Sequence, residues 1–420
     1  MNNDCRNDRK LSTLDYVFTA LSSDETSLDF ALVFHFSKHP GFEALNLGAQ
    51  SARNKFPTTS SIVHGSTWKH IAAPDYGIEY AAVSDLRTAG QLIERLLETP
   101  FDLRVQFPYR QLLIVNGSGA GVLATRFHHA VADGLSAALW LAHQLRVALN
   151  MEEPLTCPAI QCSPEFRISN TSVRRSKFAY AKASDSLWTS NQRRANQRRW
   201  ISLAFDSRQL RTACRRTGGF TFSDLLATCA LETFSIWNHS HNTSQQIGLW
   251  FPINVRRKFS CGFGNGTSRI RLYPRFSDSM SITGKAREVR RQIQWCTNEG
   301  EWVLPTLPFL GALPKSVLGS ALSFYLKRSS VDMATGVFSH ADSCAGDGRE
   351  SFQTVDRVEA IGLLHPRQAV AINGTTLREE TNLTLTYDSG LLSPVEANEL
   401  AELYKQCVTA ATEDLDARVN

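Results

Sequence analysis

Two adjacent histidines lie close to an aspartate and a glycine in RFHHAVADGLSAALW, residues 126–140. His128 and His129 come shortly before Asp133, and Gly134 follows it directly. A neutral imidazole, with a pKa of about 6.5, is a suitable base for a hydroxyl or amine proton near neutral pH. This stretch is therefore the first candidate for chemistry in the chain.

In one interpretation, a strand ends at the two histidines and a tight turn leads into a helix that starts near Leu135. Because side chains alternate along a strand, one histidine would face a cleft and the other would pack inward. Asp133 would cap the helix and pair with a cation. Gly134 would adopt a backbone conformation, or allow a close approach of neighbouring atoms, that a side chain would prevent.

Two other interpretations stay open on the residues alone. His129 and Asp133 have the i, i+4 spacing of metal ligands, with His128 as a helper, but no third ligand stands in a recognised pattern. Alternatively, both histidines are core residues whose hydrogen bonds are satisfied within the protein. The spacing by itself does not decide between these interpretations.

The flanking segments predict alternating strands and helices. In the first part, we expect strands at LDFALVFHF and GVLATRFHH and helices at GQLIERLLETP and GLSAALWLAHQLRVALN. The proline-containing MEEPLTCPAIQCSPEF resembles a connector and places a boundary near residue 165, giving lobes 1–165 and 166–420. The chain therefore reads as α/β, of the two-layer α+β kind.

The second lobe repeats the mixture of elements. We expect a helix at TFSDLLATCALETFSIWN, capped by Ser223 or Thr221, and another at ITGKAREVRRQIQWCTNEG. The other expected elements are strands at QIGLWFPINV, EAIGLLHP, AVAING and LTLTYDSG, a glycine-rich loop CGFGNG and a final helix SPVEANELAELYKQCV.

The composition narrows the class of protein. At 420 residues the chain is longer than one hydrophobic core usually supports. A net charge of +5 is too small to indicate nucleic-acid binding, and we interpret the basic stretch 174–200 as a solvated helix. The nine cysteines form no C-x-x-C pair, which favours reduced, packed thiols.

We expect a cytoplasmic protein, because the N-terminus lacks the pattern of a secretory signal and no long uncharged apolar run follows. We also expect a monomer. The most apolar stretch is residues 303–326, VLPTLPFLGALPKSVLGSALSFYL. Three prolines and Lys315 interrupt it, which favours a buried or channel-lining helix after a loop over a membrane-surface helix.

The segment HHAVADG matches the HHxxxDG signature of the chloramphenicol-acetyltransferase-like superfamily. This superfamily includes condensation domains, plant-type BAHD acyltransferases, polyketide-associated acyltransferases and wax ester synthases. PFDL, FTFSDLLATCALETFSIWN, FPINVRRK and LTLTYDSGLLSPVEANELAELY are similar, in order, to further segments of these families. The resemblance covers nearly the whole chain.

The resemblance implies two chloramphenicol-acetyltransferase-like lobes that form a pseudo-dimer with a tunnel between them. His129 matches the catalytic histidine, which acts as general base in direct transfer without an acyl-enzyme. His128 and Asp133 match positions that hold the geometry of the motif, and Gly134 matches the glycine that keeps the tunnel open. No tightly bound cofactor is implied, since the donor is a substrate: acyl-coenzyme A or an acyl group on carrier-protein phosphopantetheine.

The sequence also departs from some of these relatives. The DFGWG motif of the BAHD branch is absent, and GFGNG at residues 262–266 fits the GN loop of the bacterial branches better than a dinucleotide or phosphate cradle. We expect a free-standing enzyme that meets its donor in trans. Candidate donor contacts are Arg256, Arg257 and Lys258, and candidate substrate contacts are Ser339, His340 and Asn254.

These observations predict an acyltransferase that moves an acyl group from a thioester to a hydroxyl or amine acceptor. We prefer ester formation slightly, by analogy with free-standing members of the superfamily. The alternatives are a free-standing condensation enzyme that forms an amide, and a catalytically silent scaffold that binds carrier proteins.

Overall fold

A computed structural model of the chain describes residues 8–22, 28–71, 77–151, 186–195, 197–243, 246–256, 262–277, 279–300, 313–328, 334–341, 352–365 and 368–419. The α-helices in these ranges are α1 Thr13–Leu21, α2 Phe42–Lys55, α3 Ala89–Glu98, α4 Gly134–Ala148, α5 Arg208–Thr217, α6 Phe222–Ser240, α7 Ile282–Asn298, α8 Lys315–Arg328 and α9 Pro394–Val419.

The strands are β1 Arg9–Lys10, β2 Asp29–Phe36, β3 Ser61–His64, β4 Thr67–His70, β5 Glu79–Ala82, β6 Tyr109–Val115, β7 Gly121–His128, β8 Arg198–Asp206, β9 Leu249–Asn254, β10 Thr267–Leu272, β11 Gly336–Ala341, β12 Arg357–Ile361, β13 Val370–Leu377 and β14 Glu380–Asp388. The mixed α/β class expected from the sequence is confirmed.

The first sheet has five strands in the order β12-β2-β7-β6-β5. One face of β2 and β7 packs against α2 and α4, and the opposite face of β2 packs against α3. Because both faces are covered, LDFALVFHF and GVLATRFHH are apolar almost without alternation. This sheet and α4 position the histidine pair.

The second sheet has six strands in the order β10-β9-β11-β13-β14-β8. Helices α5, α6, α7 and α9 contribute to the core on one of its faces. The other face carries threonines that contact the first lobe. Thr375 Oγ1 donates to the Val358 carbonyl at 2.6 Å, and the Gly362 N–H donates to Thr386 Oγ1 at 3.1 Å.

The second half of the chain also contributes to the first lobe. Strand β12 pairs antiparallel with β2, with Arg357 opposite His35. Phe263 packs in the first core, where its ring stacks on Phe56 at 4.5 Å. The boundary near residue 165 lies outside the described residues and stays a prediction, but the lobes are not simple consecutive halves.

Two expectations need correction. Residues 186–195 and 197–200 contain no helix; β8 starts at Arg198, which is buried. Helix α8 is only partly buried, since Leu318 is enclosed while Val317 and Phe324 are 52% and 58% exposed. Residues 174–185 and 303–312 of these stretches lie outside the described part of the chain.

Other features agree with the sequence. Thr221, and not Ser223, caps α6 in a capping box with Asp224. The cysteines in the described ranges are free thiols. None of the helices in these ranges has both the length and the apolar character that a membrane crossing requires.

Candidate active site

The histidine pair lies where β7 ends and the chain turns into α4. The His129 N–H donates to the carbonyl of Leu28, the residue before β2, at 2.8 Å, so the pairing of the two chain segments continues one residue beyond the end of β7. The Val131 N–H then donates to the His128 carbonyl at 3.0 Å and closes the turn. Helix α4 begins at Gly134, next to the predicted start.

His128 is fully buried and both of its ring nitrogens are hydrogen-bonded. Nδ1 accepts from the Ala130 N–H at 3.1 Å, and Nε2 lies 3.1 Å from Ser22 Oγ at the end of α1. Because Nδ1 accepts, Nε2 carries the proton and donates to Ser22. Burial lowers the pKa of His128 to about 3. His128 is therefore a neutral residue that holds the turn.

His129 is partly exposed and its ring lies between two phenylalanines. The ring centroids of Phe18 and Phe30 are 5.4 Å and 4.8 Å from that of His129. Burial lowers its pKa, although Asp133 and Asn265 act in the opposite direction. The result is a neutral imidazole that can accept a proton. As strand alternation predicts, one histidine of the pair is buried and the other is partly exposed.

Asp133 caps α4 and joins the two lobes. Oδ1 accepts from the Ser136 N–H at 3.0 Å and from Arg256 Nη2. Oδ2 accepts from the Gly266 N–H at 2.9 Å and from Thr267 Oγ1 at 2.6 Å. Burial raises the pKa of this carboxyl, but Arg256 and the other donors outweigh it and hold the pKa below its usual value.

The metal interpretation does not fit this geometry. Four protein donors occupy the Asp133 oxygens, so the carboxylate has no free lone pair directed at an ion. No cluster of histidine, cysteine, aspartate and glutamate suited to a metal occurs elsewhere in the described ranges.

Arg256, a candidate donor-phosphate contact, lies between the two lobes. It is 8% exposed, and Nη2 donates to Asp133, to Ser136 Oγ at 2.7 Å and to the Gly264 carbonyl at 2.9 Å. The guanidinium therefore holds the lobes together through Nη2, while Nη1 has no hydrogen-bond partner in the described residues, and a contact with the donor phosphates stays a prediction. Arg257 and Lys258 lie outside the described residues.

The glycine-rich residues 262–266, here termed the crossing segment, extend from the second lobe into the first. Gly264 donates to and accepts from Ser136 Oγ, at 2.9 and 2.7 Å. A Cβ on Gly266 would lie 2.3 Å from Arg256 Cγ, so only glycine fits there. Asn265 Nδ2 donates to the His129 carbonyl at 2.6 Å. The glycines therefore serve close packing between the lobes.

Gly134 is required neither by its conformation nor by close neighbours, and that expectation is wrong. It is not among the residues with positive φ, and a Cβ placed on it would meet no atom within 4 Å. The space beside it is open. Its match to a glycine that keeps a tunnel open stays a prediction.

The remaining candidate substrate contacts differ in position. His340 Nδ1 and Nε2 lie 2.7 Å from Ser223 Oγ and 2.9 Å from Thr376 Oγ1, and burial lowers its pKa to about 3. Both nitrogens are therefore hydrogen-bonded inside the second lobe, and a substrate contact of His340 stays a prediction. Ser339 points to the opposite face of β11, and Asn254 is exposed at the end of β9. Their roles stay predictions.

Sequence reasoning missed a second buried ion-pair cluster next to the motif. Asp29, opposite His128 in the sheet, accepts from Arg126 Nη2 at 2.6 Å and from Arg198 Nη2 across the lobe interface. Arg198 Nη1 also donates to the Asp29 carbonyl at 2.7 Å. A lone aspartate at the start of the apolar run LDFALVFHF was the available signal.

No protein-family model and no curated protein sequence matches this chain. Solved structures do match. The starter condensation domain of rhizomide synthetase, solved with C8-CoA and Leu-SNAC, has a TM-score of 0.68 at 13% identity, covering 96% of this chain and 94% of that chain.

Two further structures carry other activities. Trichothecene 15-O-acetyltransferase from Fusarium sporotrichioides has a TM-score of 0.67 at 12% identity, covering 96% of this chain and 95% of that one. The epimerization domain of the third module of tyrocidine synthetase B also has a TM-score of 0.67 at 12% identity, with coverage of 99% and 98%. The chain therefore has the two-lobed fold that these condensation, epimerization and acetyltransferase proteins share.

Proposed function

We propose that this protein transfers an acyl group from a thioester to a hydroxyl or amine acceptor, with His129 as general base. One observation carries the proposal: of the two motif histidines, only His129 is partly exposed, and its surroundings keep it neutral. A neutral imidazole at the junction of two lobes is suited to accept a proton from a bound acceptor.

The proposed reaction is balanced in atoms and protons. Since Nδ1 of His129 is buried, Nε2 is the nitrogen available to reactants. It takes the proton of the acceptor O–H or N–H as that atom attacks the thioester carbonyl carbon. The tetrahedral intermediate then breaks its C–S bond, and the thiolate leaves and takes the proton from the imidazolium. No covalent acyl-enzyme forms.

We propose acyl-coenzyme A or an acylated carrier protein as donor. The match to a starter condensation domain solved with C8-CoA and Leu-SNAC supports thioesters of this size and chemistry. We prefer a hydroxyl acceptor, giving an ester, because an O-acetyltransferase shares the fold; an amine acceptor is the alternative. The base contributes about 10²–10⁴-fold, and positioning of the two substrates contributes much of the rest.

The direct test uses the purified chain with a panel of acyl-coenzyme A and acyl-SNAC thioesters, each with and without pooled alcohols and amines. We expect thiol release and a new ester or amide mass only when donor and acceptor are both present. Epimerization of an aminoacyl thioester in place of transfer would contradict the proposal. So would binding of acylated carrier protein with no turnover, which would favour the scaffold alternative.

The open space beside Gly134 allows a matched test of substrate passage. Gly134→Leu adds a side chain in the first turn of α4, and Gly90→Leu adds the same side chain in the first turn of α3, where a Cβ also meets nothing within 4 Å. Both changes favour the helix, by up to about 1 kcal/mol. We expect Gly134→Leu to lower kcat/KM at least about tenfold through misplaced substrate.

Gly90→Leu should leave kcat/KM unchanged, and thermal unfolding should show that both variants are folded. Full activity of Gly134→Leu would mean that the space beside this glycine is bulk solvent and not a substrate path.

A further inference from the structure

Aromatic carbon lies beside the imidazole of His129 on two sides. The ring centroids of Phe18 and Phe30 are 5.4 Å and 4.8 Å from that of His129, within the contact range of aromatic pairs. Phe30 is 6% exposed and belongs to the first core, where its ring also stacks on Phe127. Phe18 comes from α1 and is partly exposed. Of the two rings, Phe18 is therefore the one that borders solvent.

The environment of His129 matters because water competes with the acceptor. A base that takes a proton from a hydroxyl or amine can also take one from water. The water oxygen then attacks the thioester carbonyl carbon, the C–S bond breaks, and a carboxylic acid and a thiol are released. An ordered water needs roughly two to four polar partners, and a phenyl ring supplies neither nitrogen nor oxygen. Phenyl rings beside His129 therefore leave a water at the base poorly held.

Helix α1 is attached to both lobes, which fixes the place of Phe18. Leu14 packs against the core of the second lobe, whereas Phe18 packs against the core of the first. At the end of the helix, Ser22 Oγ lies 3.1 Å from Nε2 of His128. The helix therefore holds Phe18 in a defined position relative to the histidine pair.

Helix α8 packs closely against α1. A Cβ on Gly319 would lie 2.2 Å from the Ala20 carbonyl oxygen, so only glycine fits where the two helices meet. The Tyr16 hydroxyl donates to the Leu313 carbonyl, just before α8, at 2.5 Å. Since Ala20 follows Phe18 by two residues, a shift of α1 away from α8 would also move the Phe18 ring.

We propose that Phe18 is a specificity-determining residue that shields His129 from water, and that α8 holds α1, and with it Phe18, in the shielding position. The shielding favours transfer of the acyl group over its hydrolysis. The choice between acceptor and water rests on the function proposed above, whereas the shielding of the ring does not.

The first test measures shielding without any substrate. Diethyl pyrocarbonate modifies accessible neutral imidazoles, and peptide mass spectrometry gives the rate at His129 relative to the exposed His64. Phe42→Ala is the matched control, because Phe42 is also partly buried against the first core but lies beside Tyr80. We expect Phe18→Ala to raise this ratio at least about threefold and Phe42→Ala to leave it unchanged.

The second test measures thiol release from acyl-SNAC in the absence of an acceptor. We expect Phe18→Ala to raise this hydrolysis at least about tenfold, and to lower the yield of ester or amide relative to free acid when an acceptor is added. Phe18→Leu keeps an apolar side chain and should hydrolyse less than Phe18→Ala. Adding His129→Gln to Phe18→Ala should remove the extra hydrolysis. Thermal unfolding checks that each variant is folded.

Gly319→Ala tests the role of α8 while Phe18 is unchanged. Gly90→Ala is its control, because it also replaces a glycine within a helix, at a position where a Cβ meets no atom within 4 Å. We expect only Gly319→Ala to increase both the modification of His129 and the hydrolysis. Equal behaviour of the two glycine variants would show that α8 does not hold Phe18 in place.

An unchanged modification ratio in Phe18→Ala would overturn the proposal, and so would an equal rise in Phe42→Ala. If Phe18→Ala speeds modification of His129 but no variant consumes a thioester, the proposed function is wrong and the shielding stands. If the unmodified chain transfers the acyl group and Phe18→Ala hydrolyses the thioester no faster, the proposed function stands and the specificity role is wrong.

Discussion

We expect His129→Gln to lower kcat/KM for acyl transfer by about 10²–10⁴-fold, the usual contribution of a general base. Glutamine retains polarity and approximate size but cannot take a proton at neutral pH. Since His129 is partly exposed and its Nδ1 has no hydrogen-bond partner in the described residues, the fold should be little affected. Steady-state kinetics and thermal unfolding of the same preparation measure both effects.

The pH dependence of kcat/KM provides a second test of His129 as the general base. A base works only when unprotonated, so activity falls as the pH drops through the pKa of His129. Because burial lowers that pKa below 6.5, the acid limb of kcat/KM in the unmodified chain should lie below pH 6.5. In His129→Gln, the residual rate should lose this limb.

His143→Gln is the matched control, because His143 lies on α4 of the same lobe and its Nε2 bonds Ser51 Oγ at 3.0 Å, away from the motif. We expect it to retain activity. If His129→Gln keeps more than about a tenth of the rate, the base is another group, and the proposed mechanism must be abandoned.

The largest effect on stability is expected from Arg256→Met. This change leaves the Asp133 carboxylate buried without its cation, and breaking such a pair costs about 3–5 kcal/mol in the free energy of unfolding. The crossing segment would also lose the Arg256 contacts to two of its carbonyls, Gly262 and Gly264. Urea unfolding followed by circular dichroism measures the loss.

Arg291→Met is the comparison, since Arg291 is exposed and pairs with Glu288 on one helix. The free energy of unfolding of Arg291→Met should fall by no more than about 1 kcal/mol. Adding Asp133→Asn to Arg256→Met removes the uncompensated charge and should recover part of the stability. Equal effects of the two arginine substitutions would show that the lobe-joining pair contributes no more than a surface pair.

The local pattern of apolar and polar residues was sufficient to predict much of the structure of the motif. The apolar run ending at His128 and the helical spacing after Gly134 place the turn correctly, and alternation selects one accessible histidine. Asp133 was also recognisable as a cap from its place before the helix. These features depend on residues close together in the chain, where steric and hydrogen-bonding preferences act directly.

The partners of these residues were not predictable in the same way. Arg256 reaches Asp133 from 123 residues away, and its charge pattern in VRRK is that of any exposed basic turn. His340, placed near the reaction centre by resemblance, instead bonds Ser223 and Thr376. Such contacts depend on how lobes pack, which single-sequence periodicity does not encode.

Helix α1 shows a different limit of prediction from sequence. Ser12 and Asp15 form a capping box, a local signal that was present in STLD. The helix nevertheless matters for its tertiary contacts, because Phe18 lies against His129 and Ser22 bonds His128. Its existence was open to prediction from sequence, but its place beside the motif was not.

The strand that the late part of the chain adds to the first sheet has a consequence for biosynthesis. During translation, β12 emerges about 320 residues after β2, since Arg357 pairs with His35. Until β12 arrives, the edge of β2 has no partner, and unpaired edges invite association with other chains. The nascent first lobe therefore stays incomplete until about 320 further residues have been synthesised after β2.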